Sequence, residues 1–237
     1  MSCTNESASV ETETTPAVET IEEQIPPVKA EIVDSKADLS TAKFTIPEGY
    51  VLFDKIEGDL NGDGINDHVL MIKGTDSAYV VINRFDDEVD RNRRGILIYL
   101  SDKDNYVLAI KNLSCFYSDQ EDGGVYFPPE LSISISNNKL YFDYAHGRYG
   151  FWQYTFRYQD SDFALIGYDA SQNYGPIVNR VVSINFLTKK RLTKENVNQD
   201  IEESGEEVFK ETWDKIELDE LYTLSQIKEF EDLDIKF

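Results

Sequence analysis

A chain of 237 residues with 45 Asp and Glu against 23 Lys and Arg carries a formal charge of -22 at pH 7, so nucleic-acid phosphates repel it and no nucleic-acid partner is expected. Two cysteines rule out a disulfide framework, and no stretch approaches the roughly 18–20 continuous apolar residues of a membrane span. At 41% hydrophobic and 12% aromatic residues, the chain has material for one substantial core.

Residues 1–42 hold nine acids, two bases and no aromatic residue, and are rich in Thr, Ser, Glu and Pro. Such a segment buries too little apolar surface to offset its chain entropy, which predicts a disordered acidic tether. The remainder, 43–237, reads as a single domain. The opening Ser2-Cys3-Thr4-Asn5, followed by this tether, resembles the start of a mature bacterial lipoprotein, which implies that Cys3 carries a lipid and is the chain's membrane connection. No basic and apolar signal segment precedes Cys3, so the chain as written does not direct its own export. The other reading is a cytoplasmic protein with an incidental early cysteine.

Asp59-Leu60-Asn61-Gly62-Asp63-Gly64-Ile65-Asn66-Asp67 has the spacing of a calcium loop. Ca2+ takes 6 to 8 oxygen ligands at about 2.3–2.6 Å, so a short loop must turn sharply and aim several oxygens inward. Asp59, Asn61, Asp63 and Asp67 supply side-chain oxygens, Ile65 a backbone carbonyl, and Gly64 the turn. An EF-hand needs Glu at the twelfth position, which is Leu70, and the flanks Val51-Leu52-Phe53 and Val69-Leu70-Met71-Ile72 are strand-like. The stretch from Tyr50 to Gly74 resembles the calcium-binding FG-GAP or VCBS repeat of extracellular β-proteins, which implies one structural Ca2+ bound by Asp59, Asn61, Asp63, Ile65 and Asp67. The motif occurs once, so a full propeller is not expected. The competing reading is a metal-free Asx-rich hairpin turn.

Short strands then follow one another: 50–57, 67–73, 78–83, 95–101, 106–112, 131–136, 139–145, 152–159, 162–169 and 179–188. Turn chemistry separates them at Asp102-Lys103-Asp104-Asn105, Asn137-Asn138 and Gln159-Asp160-Ser161-Asp162. Joints this tight make the strands antiparallel, and the fold class is mostly β: an antiparallel sandwich or a partial propeller-like sheet. Leu131, Ile133 and Ile135 alternate with serines, and Trp152, Tyr154, Phe156 and Tyr158 alternate with Gln153, Thr155 and Arg157, so one face is buried and the other wet. Cys115, at an apolar strand end, reads as a buried inert thiol. Glu121 and Asp122, ahead of two glycines, read as a solvated turn rather than a glycosidase pair.

Asp143-Tyr144-Ala145-His146-Gly147-Arg148-Tyr149-Gly150 is the best candidate ligand site, with His146 as base, Arg148 as anion clamp, and Tyr149 and Trp152 beside them. The alternative is a strand connection with a hydrogen-bonded histidine. A glycan-binding face in this aromatic region requires at least two coplanar rings in solvent. His68, without a histidine partner at zinc spacing, reads as a strand residue. Lys189-Lys190-Arg191 reads as an exposed hairpin end, Asn196–Glu207 as the longest loop and Thr212–Leu218 as a strand. Leu224, Ile227, Phe230 and Leu233 share one face of a short C-terminal helix.

The run from Tyr154 through Asp162–Asp169 to Ser183–Thr188 is similar to the core of small bacterial envelope proteins, mainly lipoproteins of Bacteroidetes. That resemblance implies envelope localisation, periplasmic or at the outer membrane, and a calcium-loop β-domain, and it brings no catalytic residue. The reading is a calcium-stabilised, lipid-anchored, non-enzymatic binding module whose partner is an envelope protein or a glycan. The alternative is an envelope hydrolase acting on glycan or another polymer near His146 and Arg148.

Overall fold

The computed structural model describes residues 44–237 apart from 104, 124–126, 199–200, 202–203, 231–232, 234 and 236–237. Cys3 and the acidic segment 1–42 lie outside the described residues, as does Asp104 of the predicted 102–105 turn. Strand-forming runs separated by turn chemistry produce thirteen strands among the described residues: β1 (Tyr50–Gly58), β2 (Asp67–Gly74), β3 (Val80–Ile82), β4 (Glu88–Asp90), β5 (Arg94–Asp102), β6 (Asn105–Phe116), β7 (Glu130–Ser136), β8 (Lys139–Ala145), β9 (Gly150–Gln159), β10 (Asp162–Tyr174), β11 (Ile177–Asn185), β12 (Lys190–Asn196) and β13 (Phe209–Lys215). All pair antiparallel, in a four-stranded sheet of order β1-β2-β5-β6, a seven-stranded sheet of order β13-β12-β11-β10-β9-β8-β7, and a small β3-β4 ribbon. No helix among the described residues is long and apolar enough to cross a membrane.

Of the two architectures open at sequence level, the molecule adopts the sandwich. Val69, Ile96, Ile98, Ile110 and Phe116 of the smaller sheet share a core with Leu140, Phe142, Tyr154, Phe156, Leu165 and Ile184 of the larger one. The alternation read from β7 and β9 holds except at Thr155, expected on the wet face but buried: Leu131, Ile133 and Ile135 pack on this core, as do Trp152 and Tyr158 around the buried Tyr154 and Phe156. β2 and β5 are buried on both faces, because a second cluster of Leu70, Ile72, Leu97 and Tyr99 is covered by Phe44 and Ile46. Tyr99 Oη donates to Thr45 O at 2.9 Å and holds that cover in place.

The turns follow their residues. Asn137 and Asn138 (φ 50° and 56°) and Asp160 and Ser161 (φ 51° and 64°) take the left-handed pairs that two-residue hairpins need. At Gly150 (φ 110°) a Cβ would sit 2.1 Å from Ser171 O, so no side chain fits between β9 and β10 there.

The C-terminal expectation is corrected in part. Leu224, Ile227 and Phe230 are buried, as their spacing predicted, but the described residues of 224–233 form turns and no helix. Their backbone instead serves the sheets: Leu224 N donates to Phe163 O, Phe230 N donates to Cys115 O, and Asn112 Nδ2 donates to the carbonyls of Leu224 and Ile227. Bonds made sideways to strands replace those a helix makes along itself. Two strands were not expected, β4 and β12, and Lys190-Arg191 begins β12 rather than capping a hairpin.

Candidate metal loop and adjoining cleft

The loop 59–66 joins β1 to β2 and is shaped by its own Asx chemistry. Asp59 accepts from Gly62 N at 2.6 Å and Gly64 N at 3.0 Å, Asn61 Oδ1 accepts from Asp63 N at 3.0 Å, and Asp63 Oδ1 accepts from Ile65 N at 2.8 Å. Gly62 and Gly64, at φ 82° and 83°, supply the two left-handed positions. Asn61 and Asp63 are exposed, Asp59 is half-buried, and Asp67 is 0% exposed.

Asp67 therefore does something the spacing did not reveal. Its carboxylate accepts from Leu60 N at 2.8 Å and from Ser101 N at 2.9 Å, tying the loop to the end of β5. Ser101 Oγ returns a bond to Asn66 O, and Asn138 Nδ2 of the β7–β8 turn donates to Asp59 O at 3.0 Å. The loop is thus fastened to both sheets. Burial pushes the Asp67 carboxyl above its ordinary range, against the two backbone donors, and the nearby Asp63 charge adds to the rise. At Asp59 burial acts the same way but is outweighed by the Gly62 and Gly64 N–H groups, which hold its carboxyl low.

Whether Ca2+ fits can be judged from these donors. Among the described residues no three His, Cys, Asp or Glu side chains converge on a metal position, so a cation here must also take amide and backbone oxygens such as Asn61 Oδ1 and Ile65 O. A carboxylate has about four lone-pair sites, and the hydrogen bonds above leave some of them on Asp59, Asp63 and Asp67. One contact must yield: Asn61 Nδ2 donates to Asp63 Oδ2 at 2.9 Å, where a cation would compete. With that exchange, the oxygen-only donor set suits a hard cation.

His146 follows β8 and precedes a 3-10 turn, Gly147–Tyr149, closed by Tyr149 N to His146 O at 3.0 Å. His146, Arg148 and Tyr149 line a depression of about 260 Å3, and His146 and Trp152 line a neighbouring cleft of about 400 Å3 with Arg94, Ser118 and Glu121. The His146 and Tyr149 rings lie 5.0 Å apart, while the Arg148 guanidinium sits over Tyr174, 5.9 Å from its ring centre. The four predicted residues are brought to one end of the sandwich, although Arg148 and Trp152 border different hollows. Tyr144 and Trp152 are parallel within 10°, but they stack on each other at 5.0 Å and Tyr144 is only 3% exposed, so they form no coplanar platform in solvent. Glu121 and Asp122 are both held by Arg91 at 2.8 Å, a clamp between the β3–β4 ribbon and the β6–β7 loop that pairing rules do not reveal from sequence.

Cys115 is fully buried at the end of β6. His68 is buried on β2 between Phe44 and Tyr106, with ring centres at 4.7 and 4.9 Å, the strand residue its lack of partners suggested. No protein-family model, curated protein or solved structure matches this chain.

Proposed function

We propose that this protein is a calcium-stabilised binding module of the bacterial cell envelope, held to the membrane through a lipid on Cys3, and that it is not an enzyme. The observation that carries the reading is the Asp59–Asp67 loop, whose oxygen donors are pre-shaped by Asx turns and fastened by Asp67 to β5 and by Asn138 to the second sheet. Asp59, Asn61, Asp63, Asp67 and the Ile65 carbonyl would hold the ion, which offsets carboxylate repulsion at the seam of the sandwich. Because only the folded loop assembles these donors, binding adds to folding stability.

The test is thermal unfolding of the full chain in EDTA and across a calcium titration, with magnesium as control. Free calcium at about a hundred times Kd contributes about 2.7 kcal/mol, or about 5–10 °C for a domain of this size. Asp63→Ala should abolish the calcium-dependent rise. A rise that persists in that variant removes the site, and no rise at several millimolar calcium reduces the loop to an Asx-rich turn.

A further inference from the structure

We propose that β13 is a self-association edge, at which two copies of this chain pair antiparallel about Thr212 and join their seven-stranded sheets into one. The two sheets offer four edges, and three of them meet another part of the chain along part of their length. β7 lies against β1, where a Cβ on Gly58 would come within 2.7 Å of Ile135 Cγ2. The end of β6 is held by the C-terminal segment through Asn112 and Cys115 O. β13 pairs with β12 on one side, and among the described residues no strand pairs with it on the other.

The hydrogen-bonding phase of β13 is set by its ends. Val197 N donates to Val208 O and Ile216 N to Lys189 O, so Lys210, Thr212 and Asp214 turn their backbone groups toward β12. The backbone groups of Phe209, Glu211, Trp213 and Lys215 then face outward. A second β13 placed antiparallel and centred on Thr212 matches outward residue to outward residue: Phe209 to Lys215, Glu211 to Trp213. The intervening pairs, without backbone hydrogen bonds and with side chains closest, are Thr212 to Thr212 and Lys210 to Asp214, the latter occurring twice by symmetry.

That register is complementary in charge. No like charges face each other, and each Asp214, which already meets Arg191 at 3.0 Å, gains a second cation. Trp213, 63% exposed over Leu192, comes diagonal to its counterpart, within reach of an aromatic contact. Net charge opposes association of copies in general, yet β12 and β13 together carry five basic and three acidic residues in a chain with 23 and 45. The repulsion is therefore least at this edge. β1 and β6 carry bulges, whereas β13 has neither a bulge nor a proline, and its charges, which guard an edge against unlike strands, are matched in this register.

Sedimentation equilibrium of the full chain tests this. The wild type should show a concentration-dependent dimer at twice its 27.2 kDa mass. Lys210→Glu places two acids opposite each other and Asp214→Lys two bases, so each variant alone should associate at least about tenfold more weakly. Mixed in equal amounts, they restore both opposite-charge pairs and should form the heterodimer. Glu211→Pro, which removes an outward N–H and none toward β12, should also abolish pairing, and it substitutes for Asp214→Lys if loss of the Arg191 pair unfolds that variant. A wild type that stays monomeric to about millimolar concentration, the range of very weak contacts, overturns the proposal. So does a dimer indifferent to Lys210→Glu or Glu211→Pro.

Discussion

At the residue scale, the most consequential side chain is Asp67. Its two backbone acceptor roles make it a strut as well as a candidate ligand, and the two roles separate by experiment. Asp67→Ala leaves two buried N–H groups without acceptors, at about 1–3 kcal/mol each, so unfolding in urea with EDTA present should show a loss of about 3 kcal/mol or more. Asp63→Ala, an exposed position, should cost little in EDTA and show its effect only with calcium. His68 carries the second residue-scale prediction. Burial holds its imidazole below the ordinary value of 6.5, with the Glu57 carboxylate 3.2 Å from Nδ1 pulling the other way. A histidine with a lowered folded pKa takes up its proton more readily when unfolded, so its contribution is complete above about pH 6.5 and is lost as pH falls toward the folded value. His68→Phe should flatten the stability profile between pH 6.5 and 5, measured as urea midpoints in EDTA. A wild-type profile already flat there contradicts the assignment.

Among the elements, the C-terminal segment has the largest effect on the core. Phe230 stacks on Phe116 at 5.0 Å and meets Phe142, Tyr154 and Phe156 edge-on, with Tyr154 Oη donating to its carbonyl. It closes the space between the sheets from outside the strand order. Phe230→Ala should destabilise by about 3–5 kcal/mol, with unchanged far-ultraviolet circular dichroism below the transition because no strand is lost. A cost under about 1 kcal/mol would mean that the segment is dispensable. The helical spacing of Leu224, Ile227 and Phe230 was a sound guide to which residues are buried and a poor guide to conformation. Periodicity reports a shared face, and a turn-rich strap that presents the same side chains satisfies it equally well. β4 escaped detection because a single valine between two acids forms a strand only when β3 supplies the partner.

For the whole molecule, charge and topology act together. A chain of net -22 tolerates carboxylate clusters only where donors or cations meet them, and the fold meets them unevenly: Arg91 holds Glu121 and Asp122, Lys73 reaches Asp90 and Asp119, and the Asp59–Asp67 loop relies on backbone N–H groups. That unevenness is why a divalent cation should matter most at the loop. Since the loop touches both sheets, calcium should raise the melting temperature in a single cooperative transition. A calcium-sensitive transition separate from a calcium-insensitive one, seen by calorimetry, would show that the loop melts independently of the sandwich.

By itself the sequence determined the antiparallel β class, the buried face of β7 and β9, the hairpin turns at Asn137-Asn138 and Asp160-Ser161, and the oxygen spacing of the 59–67 loop. Each of these depends on side-chain alternation or on chemistry within a few residues, so it can be read along the chain. Only the tertiary structure decided that Asp67 is a buried strut, that Arg91 claims Glu121 and Asp122, that the C-terminal segment is a strap, and that among the described residues no strand pairs with the outer side of β13. Those outcomes depend on partners 30 or more residues away, such as Ser101 for Asp67 and Asn112 for Leu224. A local pattern carries no record of which distant backbone group will satisfy it.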